Sequence, residues 1–335
     1  MTVRAVVRVP ASTSNLGAGF DCVGVAVDRW LSVTAAIEPN VSEPLRLHRG
    51  GTLRGLPVAA DHDRLVAAFQ AACAAAGRAM PQGLLIRASS DIPVGRGLGS
   101  SAAAVVAGTA MANALLRLGF DDQRLVELCA SIEGHPDNVV PAIHGGAVLA
   151  VQVPGTNAES ESVRKLVTAP IELHPDLALA LAVPDFEAET VYMRAALPSA
   201  VPHAVASRAA ALGAALVAGL TSGHPGLLEL ALEDVLHVPF RRELLPGYDA
   251  VTRAARDAGA FGATLSGSGS TLCAIAPRAA VHDVAAAMVE AWRVTGVVAE
   301  PIVCESPAAG YSAVVRRECD DQLGVAAAVA THTSD

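Results

Sequence analysis

The stretch "DIPVGRGLGSSAAAVVAG", Asp91 to Gly108, constrains this chain more than any other. It holds four glycines and a Ser-Ser pair, then runs into an Ala/Val segment with the composition of a buried helix. Each glycine costs conformational entropy on folding, so a cluster needs a reason. Either the backbone must approach something closely or the segment is a plain tight turn. Two nucleotide motifs fail on spacing. A Walker loop needs lysine after its last glycine, where Ser100 stands, and the dinucleotide fingerprint needs G-x-G-x-x-G, whereas these glycines fall at 95, 97 and 99. A glycine turn entering a helix still presents free N–H groups at the positive end of the helix dipole. Ser100 and Ser101 add hydroxyls for a phosphate or a ligand for Mg²⁺. The dipole contributes only about 0.3–2 kcal/mol, so an array of amides has to supply most of the grip. The alternative is structural, with Ser100 as helix N-cap and glycines that permit tight packing. The residues by themselves leave both open.

A length of 335 residues suits about two domains. The chain is 52% hydrophobic but 3% aromatic, so its core is built from Ala, Val and Leu. A formal net charge of −9, without a basic run, argues against nucleic acid as a partner. Lys165 is the one lysine, so a phosphate site must rely on arginines, backbone amides or a metal. The six cysteines form no C-x-x-C pair and read as small hydrophobes rather than a disulfide framework or zinc site. The N-terminus alternates like a strand and lacks an apolar signal core. No uncharged apolar stretch reaches membrane-spanning length, and "AVASRAAALGAALVAGL" is interrupted by Arg208. A soluble cytoplasmic protein with no membrane partner is expected.

Residues 3–9 read as a strand, followed by the polar "PASTSNLGAGFD", with "VGVAV", "LSVTAAI", "LRLHR" and "GLLIRA" as further strands. Helices are expected over 63–76, over "SAAAVVAGTAMANALLRLG" and over "DDQRLVELCASIEG", whose acidic first turn suits the dipole. The polar, proline-led segment 154–165 reads as a junction dividing a domain 1–165 from a domain 166–310. Beyond it, strands at 177–183, 261–266, 271–276 and 297–304 interleave with helices across 188–235, 247–258 and 280–293. Interleaving in both halves predicts an α+β class. The aperiodic stretch 318–335 predicts a disordered tail.

"PVGRGLGSSAAA" resembles the central motif of the GHMP kinases, the superfamily of galactokinase, homoserine kinase, mevalonate kinase and phosphomevalonate kinase. Two further motifs stand where that superfamily places them: "PASTSNLGAGFDCVGVAV" at 10–27 and "FGATLSGSGSTLCAI" at 261–275. The latter reads as a tight turn between strands that closes on a nucleotide. Within the superfamily the resemblance is closest to the homoserine kinase family, through "NLGAGFD", "EGHPDNVVPAIHGG", "TVYMRAALP" and "VPFRRELLPGY", and runs from about Val3 to Val303. Departures are small: Ser270 stands where the family commonly has proline, and "ASTSNLGAGFD" varies around "ATSANLGPGFD".

The resemblance implies a two-domain GHMP kinase fold of α+β class, with an N-terminal domain like part of ribosomal protein S5, a ferredoxin-like C-terminal domain and the site between them. It implies ATP and Mg²⁺, L-homoserine as the small-molecule substrate phosphorylated on its side-chain hydroxyl in threonine biosynthesis, and is compatible with a homodimer. Pro93, Gly95, Arg96, Gly97, Leu98, Gly99, Ser100 and Ser101 would hold the nucleotide, and Glu127 with Ser101 the metal. Arg194 and Arg241 would fork onto the substrate carboxylate, with Thr190 one helical turn before Arg194. Asn15, His135 and Asp137 would surround the amino acid, Asp137 suited to its ammonium. Asp21 and Asn138 would lie near the reacting hydroxyl, Asp21 as a positioning group first. Each has a plainer reading: arginines as solvated charges, His135-Pro-Asp as a capped turn, Glu127 on a solvent face. Two rival functions stay open, another GHMP small-molecule kinase such as a mevalonate-type enzyme, and a non-catalytic nucleotide-binding regulator on the same fold.

Overall fold

The computed structural model describes residues 2–38, 41, 43–152 and 165–318. In chain order its strands are β1 (Thr2–Asn15), β2 (Gly19–Ile37), β3 (Leu45–Gly51), β4 (Leu84–Ser90), β5 (Ala147–Gln152), β6 (Leu166–Ile171), β7 (Leu177–Pro184), β8 (Gly262–Leu265), β9 (Leu272–Pro277), β10 (Ala299–Cys304) and β11 (Ser312–Glu318). The helices are α1 (Arg64–Ala75), α2 (Ser100–Leu116), α3 (Asp122–Glu133), α4 (Val139–His144), α5 (Thr190–Ala195), α6 (His203–Ser222), α7 (Pro225–Ala231), α8 (Val238–Arg241), α9 (Tyr248–Asp257) and α10 (Val281–Val294).

The first sheet runs β11-β1-β2-β4-β3, with β5 on the other half of β2 and β6 beyond β5. The two strands expected at "VGVAV" and "LSVTAAI" are one. Pro10 pairs with Trp30 and Ala11 with Val27, so the polar residues Asp28 and Arg29 form a bulge rather than a turn. The bend lets β2 pair with β5 through Val23–Val25 and with β4 through Leu31–Ile37. Helix α2 is apolar on all sides and is buried accordingly, between the sheet and α1. The junction expected at 154–165 falls mostly outside the described residues. The boundary at 165/166 is corrected, because β6 is still a strand of the first sheet and β11 returns to its edge against β1. The tail expected at 318–335 likewise lies outside the described residues, apart from Glu318, which ends β11.

The second sheet runs β10-β7-β9-β8. Its central strand shows how an aromatic-poor chain builds two cores. In "LALALAVP" the leucines Leu177, Leu179 and Leu181 face the core shared with the first sheet. The intervening alanines Ala178, Ala180 and Ala182 face Met288 and Trp292 of α10. Period-2 alternation of large and small side chains thus gives one strand two faces of different depth. Helix α6 is long and apolar enough to cross a membrane by length and composition. It carries Arg208, and it buries Leu212, Leu216 and Leu220, the last two in the core that also takes Leu228 of α7.

Candidate active site

Three segments distant in sequence meet at one cavity of about 480 Å³, and the glycines of the Asp91–Gly108 stretch are what let them meet. A Cβ on Gly97 (φ +75) would overlap the Ser266 carbonyl and come 2.8 Å from that of Gly269, both in the "SGSGS" turn. One on Gly99 (φ +66) would overlap the Ser12 hydroxyl and come 3.1 Å from Asn138 Oδ1. The turn of the third motif is stitched to this loop: Ser266 Oγ donates to Gly97 O at 2.6 Å, and Thr271 N to Arg96 O at 3.1 Å. Ser270, where the family commonly has proline, donates to Phe186 O at 2.5 Å. The turn expected to close on a nucleotide therefore braces the glycine loop, with Gly267 and Ser268 reaching the cavity. Gly99→Val is expected to destabilise the whole protein by about 2–5 kcal/mol, the sum of overpacking and a left-handed backbone. Chemical denaturation checks this; an unchanged midpoint would contradict the packing role.

Helix α2 begins without a side-chain cap. Gly99 is its N-cap in the left-handed conformation, and Ser100 is the first helical residue rather than the cap. Its N-terminus therefore opens on the cavity, which Ser100 and Ser101 also line. Ser101 Oγ donates to Glu133 Oε2 at 2.8 Å, and the same carboxylate oxygen accepts from Arg64 at 2.8 Å. Glu133 ends α3 with its side chain 8% exposed. Glu127, expected at the metal, is six residues earlier on that helix, accepts from Gln123 and does not line the cavity. Glu133, on the same helix, does line it. It stands inside "EGHPDN", a motif already conspicuous in the sequence, and adjacency to His135 was the signal for it.

The "NLGAGFD" turn is held in an unusual backbone. Asn15 (φ 71), Leu16 (φ 45) and Asp21 (φ 57) all adopt the left-handed region, at a cost of order 1–3 kcal/mol each unless the surroundings enforce it. They do. Leu16 is fully buried, Asn15 Nδ2 donates to Gly267 O at 2.8 Å, and Asp21 N donates to Asn15 Oδ1 at 2.9 Å. Asn138 is braced similarly, donating to Ser14 Oγ and accepting from Ser12 Oγ, each at 2.9 Å.

Charge is distributed around these braces. Arg194 donates to both oxygens of Asp21, at 2.8 and 3.1 Å, in a half-exposed bidentate pair. Asp137 is buried and 2.7 Å from His135 Nδ1. Burial pushes the Asp137 carboxyl up, but the bond and charge of His135, with Ser14 and Arg194, hold it below the usual range. Burial lowers the His135 pKa too, and Asp137 and Glu133 outweigh that and raise it. Arg241 is 1% exposed and donates to Met193 O and, more weakly, to Gly267 O. Burial, then repulsion from Arg194, lowers its pKa to about 10, so it is still a cation at neutral pH. Thr190 Oγ1 lies 3.1 Å from Ser268 Oγ.

Asn15, Asp21, His135, Asp137, Asn138, Thr190, Arg194 and Arg241 all line the cavity, as do Gly95, Gly97, Gly99, Ser100 and Ser101. Pro93, Arg96 and Leu98 do not. Leu98 is a core side chain, and Arg96 turns away to Asp185 O (2.7 Å) and Glu187, tying the glycine loop to the segment before α5. At the far end Leu31, Leu47, Leu53, Leu56 and Leu65 form an apolar wall that no motif announced.

An uncapped helix facing a glycine-lined cavity at the seam of two α+β layers defines a phosphate-handling site. The comparisons agree with that class: the GHMP kinases N terminal domain matches residues 63–146 and the GHMP kinases C terminal domain matches 210–294. A homoserine kinase of Synechococcus sp. is 39% identical over 88% of this chain and 92% of its own length. One of Trichormus variabilis is 38% identical, over 87% and 92%. The crystal structure of homoserine kinase from Cytophaga hutchinsonii superposes with TM-score 0.79 at 27% identity, covering 93% of this chain and 97% of that one. The chain belongs to the homoserine kinase family of the GHMP kinases.

Proposed function

We propose that this protein transfers the terminal phosphoryl group of ATP to the side-chain hydroxyl of L-homoserine, giving ADP and O-phospho-L-homoserine, as a soluble cytoplasmic enzyme of threonine biosynthesis. The observation that carries the reading is Arg241. Among the described residues no carboxylate lies within 4 Å of this buried guanidinium. A buried cation bonded only to carbonyl and imidazole acceptors is costly, and a ligand carboxylate is the kind of partner that offsets this. Buried Asp137 supplies the opposite charge for an ammonium. Arg194, Arg241 and Asp137 in one cavity suit a zwitterionic amino acid better than mevalonate, which has no ammonium.

The geometry supports the remaining roles. The α2 N-terminus and the glycine loop suit phosphates, and the leucine wall suits a flat base. Glu133 and Ser101 are hard oxygen donors 2.8 Å apart, the donor type Mg²⁺ prefers, and they would hold it. When bound, Mg²⁺ neutralises phosphate charge. Phosphoryl transfer asks the protein mainly for positioning. Asp21, released by Arg194 toward the substrate, orients the attacking hydroxyl and receives its proton as the new P–O bond forms and the bond to ADP breaks.

The test is ADP release by purified protein with ATP, Mg²⁺ and L-homoserine, and O-phosphohomoserine is the expected product. Turnover of mevalonate but not homoserine would move the protein to another branch. Nucleotide binding with no turnover of any alcohol would make it a regulator.

A further inference from the structure

Arg241 can grip a carboxylate only if its fork is aimed, and one of the groups that aims it, His237, does not line the cavity. His237 is fully buried one helical turn earlier, and its Nδ1 is 3.3 Å from Arg241 Nη1. Its Nε2 is 3.2 Å from Gly17 O in the "NLGAGFD" turn. Arginine offers only donors and a carbonyl only accepts. One arrangement satisfies both contacts: a neutral imidazole that donates from Nε2 to Gly17 and accepts at Nδ1 from Arg241. Burial favours that neutral form.

The imidazole is itself fixed from three sides. Asp234 accepts from the backbone N–H of His237 and of Val238, each at 2.7 Å, and from that of Leu236 at 3.1 Å, pinning the start of α8. The Phe20 ring stacks on the imidazole with centroids 4.9 Å apart, and the Arg241 guanidinium lies 5.5 Å from the same ring. Gly17 belongs to the turn that also carries Asp21, the partner of Arg194. The two arginines are thus registered against one turn, Arg194 directly and Arg241 through His237.

We infer that His237 is a positioning residue for substrate recognition, its Nδ1 lone pair holding the Arg241 fork in register with the "NLGAGFD" turn. The inference rests on the proposed carboxylate role of Arg241. It separates two conservative replacements. His237→Asn retains an acceptor near the Nδ1 position and loses the Gly17 contact. His237→Gln retains a donor near the Nε2 position and loses the acceptor.

Steady-state kinetics are measured for both variants with each substrate varied, alone and in an Arg241→Ala background. The Gln variant is expected to raise the homoserine KM about tenfold or more, a tenfold change being about 1.4 kcal/mol. Its ATP KM stays unchanged, the Asn variant stays within about threefold of wild type, and the Gln effect disappears once Arg241 is gone. A ¹⁵N spectrum of the histidine rings of the wild-type protein supplies a reading independent of the Gln variant's folding. The signal absent from the Asn variant is expected to be a neutral Nε2–H tautomer. Equal homoserine KM in the two variants, a Gln penalty undiminished without Arg241, or an Nδ1–H tautomer would each overturn the inference. A wild-type protein that does not turn over homoserine would defeat the function instead.

Discussion

Replacing Arg241 with alanine raises the homoserine KM by about thirty-fold to several thousand-fold and leaves the ATP KM near its wild-type value. The range comes from the cost of truncating one partner of a buried, hydrogen-bonded charge pair, about 2–5 kcal/mol, at roughly 1.4 kcal/mol per factor of ten. The carboxylate is remote from the transferred phosphoryl group and is held equally before and during transfer. The loss therefore appears in KM more than in kcat. The change strands no carboxylate, because Arg241 bonds only carbonyl and imidazole acceptors, and a thermal melt checks that the variant is folded. Steady-state kinetics with each substrate varied at saturating levels of the other decide the matter. An unchanged homoserine KM, or a raised ATP KM, would remove Arg241 from the substrate site.

Glu133→Gln is expected to lower kcat by about a hundredfold or more and to raise the Mg²⁺ concentration for half-maximal rate. Partners one step removed from a metal already cost 10–100-fold, so a direct ligand sets a floor near the top of that range. The substitution keeps an amide oxygen for Ser101 and removes only the charge. Arg64, left without its ion pair, is 59% exposed and loses little, since exposed pairs contribute about 0–1 kcal/mol. Glu127→Gln is the internal control: it disturbs one contact with Gln123 and leaves the Mg²⁺ titration as in wild type. The reverse outcome, with Glu127 sensitive and Glu133 silent, would return the metal to the residue the motif spacing suggested.

The contrast between these two glutamates marks how far local pattern reaches. Both lie on α3, and its amphipathic phase is plain from "DDQRLVELCASIEG". Six residues at about 100° each put them roughly 120° apart around the helix, so the two face different surroundings. Phase shows that they differ but not which one looks inward. The glycine loop divides the same way. Its richness in glycine was obvious, and both explanations, close approach and tight packing, were open. Gly97 and Gly99 turn out to need their missing side chains because Ser266, Gly269, Ser12 and Asn138 press against them.

Fold class, the helices at α1 to α3 and the strands flanking the "SGSGS" turn were readable because they rest on periodicities of two and 3.6 residues within short windows. Asp21, Asp137, Arg194 and Arg241 were singled out by the resemblance of their motifs, and all four line the cavity. The single long β2, the membership of β6 and β11 in the first sheet, the brace from Ser266 to Gly97 and the bond from His237 to Gly17 were not readable. Those contacts join residues 169 and 220 positions apart in the last two cases. A short window of sequence carries the hydrogen-bonding capacity of each end and nothing about which distant partner satisfies it, and that pairing is settled only when both sheets close over a shared core.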